Sequence, residues 1–161
     1  MTKSEPRAQV TVFVQRLAAL EPGDRARLKR SAGRSLAESR AALGLFYRLL
    51  PAGVPEREEE TYFLVATLYP LVDAGGEGNL GGALRRARNP QNAKGIDRRF
   101  EILLDSDAAQ LRFRLRQSVH LLQSVRQPVD WTTLLNDLLY WEHPDRSVQK
   151  RWARSFFGND N

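Results

Sequence analysis

Apolar side chains recur about every three or four positions along nearly the whole chain, and that spacing decides the fold class. Val10, Phe13, Val14 and Leu17 stand at i, i+3, i+4 and i+7, the stripe that one face of an α-helix buries, and Pro6 is tolerated in a first turn. Glu21-Pro22-Gly23 breaks this run. The same period predicts helices over 24–32, over 36–50 until Pro51 and Gly53, and over 54–69 until Pro70. Glu56, Glu58, Glu59 and Glu60 fall in the first turn of the last of these, where the helix dipole favours negative charge. Beyond a glycine-rich stretch, a short basic helix ends near Arg88 and further helices are expected over 96–104, 107–125, 131–142 and 145–157. Asp130 and Asp145 precede apolar runs and are candidate N-caps. No alternating run of β-branched residues between hairpin turns interrupts the pattern, so the chain reads as all-α, with about eight or nine helices.

Glycine density peaks and periodicity lapses at 73–79. Two packed helical subdomains are therefore expected, residues 1–74 and 80–161, joined by a linker at 75–79. No repeat relates the halves. At 161 residues the chain is long enough for a substantial core. It contains no cysteine, which excludes disulfides, thiolate catalysis and Cys-type zinc sites and favours a reducing, cytoplasmic setting. No stretch approaches the roughly 20 apolar residues of a membrane span. Met1 to Pro6 hold no apolar signal core.

The linker contains Gly76-x-Gly78-x-x-Gly81, the spacing of a dinucleotide-binding loop. Such a loop needs a strand before it and an acid about 20 residues on. Residues 63–69 and Glu101 are the only candidates, but the former continue a helical pattern and no second strand exists to form a sheet. No Gly-Lys-Ser/Thr follows, which removes a Walker A loop. A flexible turn accounts for the glycines more simply. Catalytic groups are few: His120 and His143 are the only histidines, and neither belongs to a recognisable triad. Glu58 and Glu59 are explained by helix polarity, so no metal, cofactor or catalytic residue is expected. Trp131, Trp141 and Trp152 fit apolar stripes and are read as core.

Charge is the informative signal. Lys and Arg number 25 against 19 Asp and Glu, and the excess of +6 is mostly arginine and lies mostly in the second half. A planar guanidinium fork suits phosphate, which points to a polyanion. Arg25, Arg27, Lys29, Arg30 and Arg34 form one cluster without an acid among them, and Arg27, Arg30 and Arg34 share a face if the helix runs through Gly33. Arg85, Arg86, Arg88, Lys94, Arg98 and Arg99 form a second, opposed only by Asp97. Arg112 and Arg116 are i, i+4 neighbours at the edge of a Leu111/Leu115/Leu122 stripe. If the helices bring these clusters together, they make a groove that follows a phosphate backbone without reading bases.

Several motifs then resemble a known family. Leu80-Gly81-x-Ala83-Leu84-Arg85, Ile96-Asp97-Arg98-Arg99-Phe100-Glu101-Ile102-Leu103-Leu104, Gln110-Leu111-Arg112, Val129-Asp130-Trp131 and Leu138-Leu139-x-Trp141 occur in order. With Leu28-Lys29-Arg30 and Phe46-Tyr47-Arg48-Leu49-Leu50 they resemble the CasB family, the small subunit of the type I-E CRISPR complex Cascade. The resemblance implies an all-helical, non-enzymatic subunit present as a pair of copies in a crRNA-guided assembly. It implies contacts to the Cascade backbone subunits and the large subunit, and a basic surface for the crRNA–target duplex and the displaced strand. Lys29, Arg30, Arg98, Arg99 and Arg112 match the family's basic positions. Arg27, Arg34, Arg85 and Arg116 join the candidate nucleic-acid-binding set, while Arg86, Arg88 and Arg114 rest on charge pattern alone. A free-standing DNA-binding regulator, with 24–32 or 96–104 as recognition helix, is the rival.

Overall fold

A computed structural model describes residues 5–158; Met1 to Ser4, read above for a signal core, and residues 159–161 lie outside the described residues. Among the described residues are nine α-helices and no strand: α1 (Ala8–Ala18), α2 (Pro22–Arg30), α3 (Leu43–Leu49), α4 (Glu59–Leu68), α5 (Leu80–Ala87), α6 (Ala93–Leu104), α7 (Ala108–Ser124), α8 (Trp131–Leu139) and α9 (Ser147–Phe157).

The centre is α4. After the acidic turn Glu59–Glu60, every residue from Tyr62 to Leu68 is buried, so the helix is enclosed on all sides rather than along one stripe. It packs against α2, α7 and α8. Val10, Phe13 and Leu17 of α1 are buried as the period required. Phe13 meets Tyr62 edge-on at 5.0 Å between ring centres and Phe46 at 6.1 Å, and Phe46 meets Phe63 at 5.1 Å. Each such ring buried contributes about 1.5–3 kcal/mol over exposure, and this cluster ties α1, α3 and α4 together.

In the second half, α5 lies closely along α9. Gly81 is the reason: a Cβ there would overlap the carbonyl oxygen of Trp152. Asn79 caps α5, its Oδ1 accepting from Gly82 N at 3.0 Å while its Nδ2 donates to Ser155 Oγ at 2.9 Å. Of the glycines at 75–79, Gly76 is constrained in the same way, while Gly75 and Gly78 have open space beside them and adopt positive φ. Val129 N donates to Asp73 O at 3.0 Å and Gly76 N to Val129 O at 3.4 Å, and a Cβ on Gly76 would come to 2.6 Å from Pro128 O. No strand precedes them, since 63–69 is helix and 3-10 turn. The tryptophans are core: each indole N–H is taken up, by Val72 O, Ser106 O and Asp137 Oδ2 for Trp131, Trp141 and Trp152 respectively. Helix α8 packs on α1 and α4, so buried side chains of both halves form one cluster.

Three expected elements differ. The helix expected over 54–69 divides into a 3-10 turn, Glu56–Glu58, then α4, then a 3-10 turn, Tyr69–Leu71, so of the four glutamates only Glu59 and Glu60 lie in the first turn of α4. The helix expected over 36–50 is a 3-10 turn, Leu36–Glu38, followed by α3. Ser35 and Glu38 close a capping box around that turn, Leu36 N donates to the Glu60 carboxylate at 3.1 Å, and the buried Ser39 hydroxyl pairs with Ser31 at 3.0 Å. These side-chain bonds outcompete a continuous helix. At the last helix the N-cap position is Arg146, in the left-handed region at φ 54°, and Asp145 stands one residue earlier, its carboxylate accepting from Ser147 N at 2.9 Å. Asp130 caps α8 as expected, accepting from Thr133 N at 3.0 Å.

Candidate nucleic-acid interface

Helix α2 buries only Leu28, so its Lys29 and Arg30 project into solvent, and basic charge in the last turn offsets the negative end of the helix dipole. The chain then turns at Gly33, whose φ of +76° lies in the left-handed region, and Gly33 N donates to Thr67 Oγ1 of α4 at 3.3 Å. Onto this turn comes α7. A Cβ at Gly33 would lie 2.5 Å from Arg116 Cδ, so the Arg116 stem runs across the bare glycine backbone. One turn away, Arg112 Nη1 stands 3.7 Å from Glu38 Oε1. The Glu38 carboxyl is held below the usual range, first by hydrogen bonds at Ser35 and further by the charges of Arg112 and Arg34. The basic end of α2, Arg34, and the Arg112/Arg116 pair thus meet at one flank of the molecule.

Arg98 and Arg99 are exposed on α6, which packs on α7 and buries Ile96, Phe100 and Leu103. Helix α7 touches both groups, but no hydrogen bond or ion pair joins Arg98 or Arg99 to the α2 flank. The side chains of Lys29, Arg30, Arg34, Arg98, Arg99 and Arg116 have no hydrogen-bond or ion-pair partner among the described residues. Their charge faces water.

Other members are already engaged. Arg27 pairs with Asp24 at 3.3 Å and donates to Ala41 O at 2.9 Å, so an acid just before the first cluster takes up one of its charges. Arg85 donates to the Gly158 carbonyl at the end of α9, a C-terminal cap. Arg86 donates to Glu77 O at 2.8 Å, and Arg88 pairs with Asp97 at 2.9 Å. Arg114 binds Ile102 O at 3.2 Å and Ser106 Oγ at 3.1 Å, stitching α6 to α7. The Glu38 counter-charge escaped sequence reasoning, although the Ser35-x-x-Glu38 spacing of a capping box marks it.

On the other side of Arg112, a cleft of about 650 Å³ opens between α4, α7 and α8. Leu64, Leu111 and Trp141 line it, and Glu58, Glu60 and Glu142 stand on its walls. Arg57 and Arg112 line it as well, and Glu58 is paired with Arg7 at 2.9 Å, so the cleft carries charge of both signs, whereas the Gly33 flank is predominantly basic. No group of three or more His, Cys, Asp or Glu suited to a metal exists among the described residues, and none of their helices is long and apolar enough to cross a membrane.

The chain is similar to proteins of one family throughout. Residues 24–157 match the family model of CRISPR-associated protein Cse2. A CRISPR-associated protein Cse2 from Thermus thermophilus is 42% identical over 105 residues, which are 64% of this chain and 59% of that relative's length, so the match spans less than two thirds of it. The solved structure of a Cse2-family CRISPR-associated protein from Thermus thermophilus superposes with a TM-score of 0.79 at 34% identity, over 93% of this chain and 96% of the other. CasB of M. ruber gives 0.77 at 32% identity over 93% of each chain. A chain of a CRISPR RNA-guided surveillance complex shares the fold, with a TM-score of 0.78 at 23% identity over 92% of this chain and 91% of the other.

Proposed function

Because the chain belongs to the CRISPR-associated Cse2 family, which includes CasB, we propose that it is a non-catalytic subunit of a crRNA-guided complex of the Cascade type, acting in the cytoplasm. Its role is to hold the crRNA–target duplex and the displaced strand by charge while base pairing reads the sequence. Its protein partners are the Cascade backbone subunits, the large subunit and a second copy of itself.

One observation carries this reading: arginines from distant parts of the chain converge on the Gly33 turn, and the solvent-facing ones there and on α6 lack internal partners. A guanidinium held this way meets phosphate without first breaking an ion pair. Lys29, Arg30, Arg34, Arg98, Arg99 and Arg116 make such contacts directly, and Arg112 joins them by exchanging its 3.7 Å pairing with the exposed Glu38 for phosphate. Arg27 and Arg85 contribute less, since each is engaged by a neighbour. The division into residues 1–74 and 80–161 about a linker at 75–79 belongs to the same proposal.

A DNA-binding regulator would use α2 or α6 as a recognition helix and bind a preferred duplex tightly on its own. A Cascade-type subunit binds weakly and without sequence preference alone, and stably only when assembled. Titrating the isolated protein against duplexes of unrelated sequence, then measuring its retention by crRNA-bearing assemblies, separates the two. Sequence-selective tight binding by the isolated chain would overturn the proposal.

A further inference from the structure

Between Arg112 and Arg116 stands an aromatic ring that packing does not explain. Phe113 is 62% exposed, the highest value among the exposed large hydrophobic side chains of the described residues. The buried side of α7 is formed by Leu111, Leu115, Ser118, Val119 and Leu122. Positions three and four apart share a helix face, so Phe113 projects with Arg116 and Gln117, and His120 follows on the same exposed side. Helix α7 contains Arg112, Arg114 and Arg116 and no acidic residue. The ring therefore lies in a positive field, one turn from the arginine that crosses Gly33.

A protein partner covering Phe113 would have to desolvate the neighbouring guanidinium groups or bring carboxylates of its own. A single strand supplies both complements at once, phosphates for the guanidinium groups and an unpaired base with a flat face for the ring. A paired base offers no such face. We propose that Phe113, with Arg116 on the same face, is a stacking platform for an unpaired base of a single-stranded nucleic acid whose backbone follows α7. The inference rests on the phosphate-binding function proposed above and adds the strand's state: unpaired at this point.

The test compares a dye-labelled oligothymidine with an oligonucleotide of equal length and charge carrying abasic sites. Binding to the full-length protein is followed by fluorescence anisotropy at low salt. Wild type should prefer the base-bearing strand by about fivefold or more, the low end of what stacking on one ring provides. Phe113→Ala should bind the two strands equally and Phe113→Tyr should keep the preference. Arg116→Ala should weaken both alike and leave their ratio unchanged. Because the ring is exposed, the alanine variant keeps its fold, which thermal melting checks. An unchanged ratio in Phe113→Ala, or no preference in wild type, overturns the stacking platform. So does an unchanged ratio accompanied by loss of co-purifying subunits, which would make the ring a protein contact. If wild type binds neither strand, the phosphate-binding function fails as well, a distinct result.

Discussion

Gly81→Ala tests whether the glycine-rich stretch serves packing. Gly81 is the second residue of α5, and a Cβ there would overlap the Trp152 carbonyl oxygen while lying 2.8 Å from its carbonyl carbon and 2.9 Å from its Cα. These are backbone atoms of a packed helix, which have no rotamer to move into, so α5 and α9 must separate. Overpacking of this kind costs about 1–3 kcal/mol, against which alanine gains up to about 1 kcal/mol of helix propensity. The net expectation is a loss of about 1–2 kcal/mol. Gly95, in α6, is the control: nothing lies within 4 Å of its added Cβ, so Gly95→Ala should stabilise by about 0.5–1 kcal/mol. Urea unfolding followed by circular dichroism reads both, with the midpoint moving in opposite directions and the slope unchanged. Each kcal/mol corresponds to about 2–4 °C in melting temperature for a chain of this size. A Gly81→Ala midpoint equal to or above wild type would refute the packing account. If the loop instead held a dinucleotide, the variant would keep its stability and lose only a ligand-induced gain.

Two further tests concern buried and hydrogen-bonded charge. Asp137 is buried on α8, accepting from Trp152 Nε1 and Arg151 Nη2 at 2.9 Å each. Asp137→Ala strands that indole N–H and should cost about 3 kcal/mol, whereas Asp137→Asn keeps an acceptor and should cost about 1 kcal/mol in urea unfolding. Burial pushes the Asp137 carboxyl up, more than Trp152 and Arg151 hold it down. The folded protein therefore binds a proton that the unfolded chain has released, and wild type should lose stability relative to the asparagine variant as pH rises from 3.8 through the folded value. Tyr47 donates to Glu59 at 2.7 Å, which pushes its phenol from 10.0 up to about 12. Between those values the unfolded chain loses the proton first, so this group's share of stability falls as pH rises. An ultraviolet titration should show late phenols, Tyr62 being raised as well by its burial, and Glu59→Gln should return only that of Tyr47 toward the ordinary range.

Much of the fold was legible because it is local. The α1 stripe, the Asp130 cap and, for Glu59 and Glu60, the acidic first turn of α4 are set by residues within a few positions of one another, and the structure realises each. The break after Glu38 was not legible, since it depends on Ser31, Ser39 and Glu60 meeting across separate elements. The candidate interface divides in the same way. One-sign clusters are visible along the chain, but which arginines are consumed internally is decided by distant partners: Gly158 for Arg85 and Ile102 with Ser106 for Arg114. The contact of Arg116 with Gly33, which gathers the flank, has no local signature. Phe113 did have one: the Leu111/Leu115/Leu122 stripe already turns it outward.

The central claim is that unpaired arginines hold nucleic acid through phosphates, and the salt dependence of binding measures it most directly. The assembled complex is titrated with target DNA over a range of salt, with wild-type subunit and with the Arg98→Ala/Arg99→Ala double variant. Each lost phosphate contact lowers the slope of log K against log salt by about one, so the double variant should lose about two and weaken equally across targets of different sequence. An unchanged slope with unchanged affinity would contradict the account.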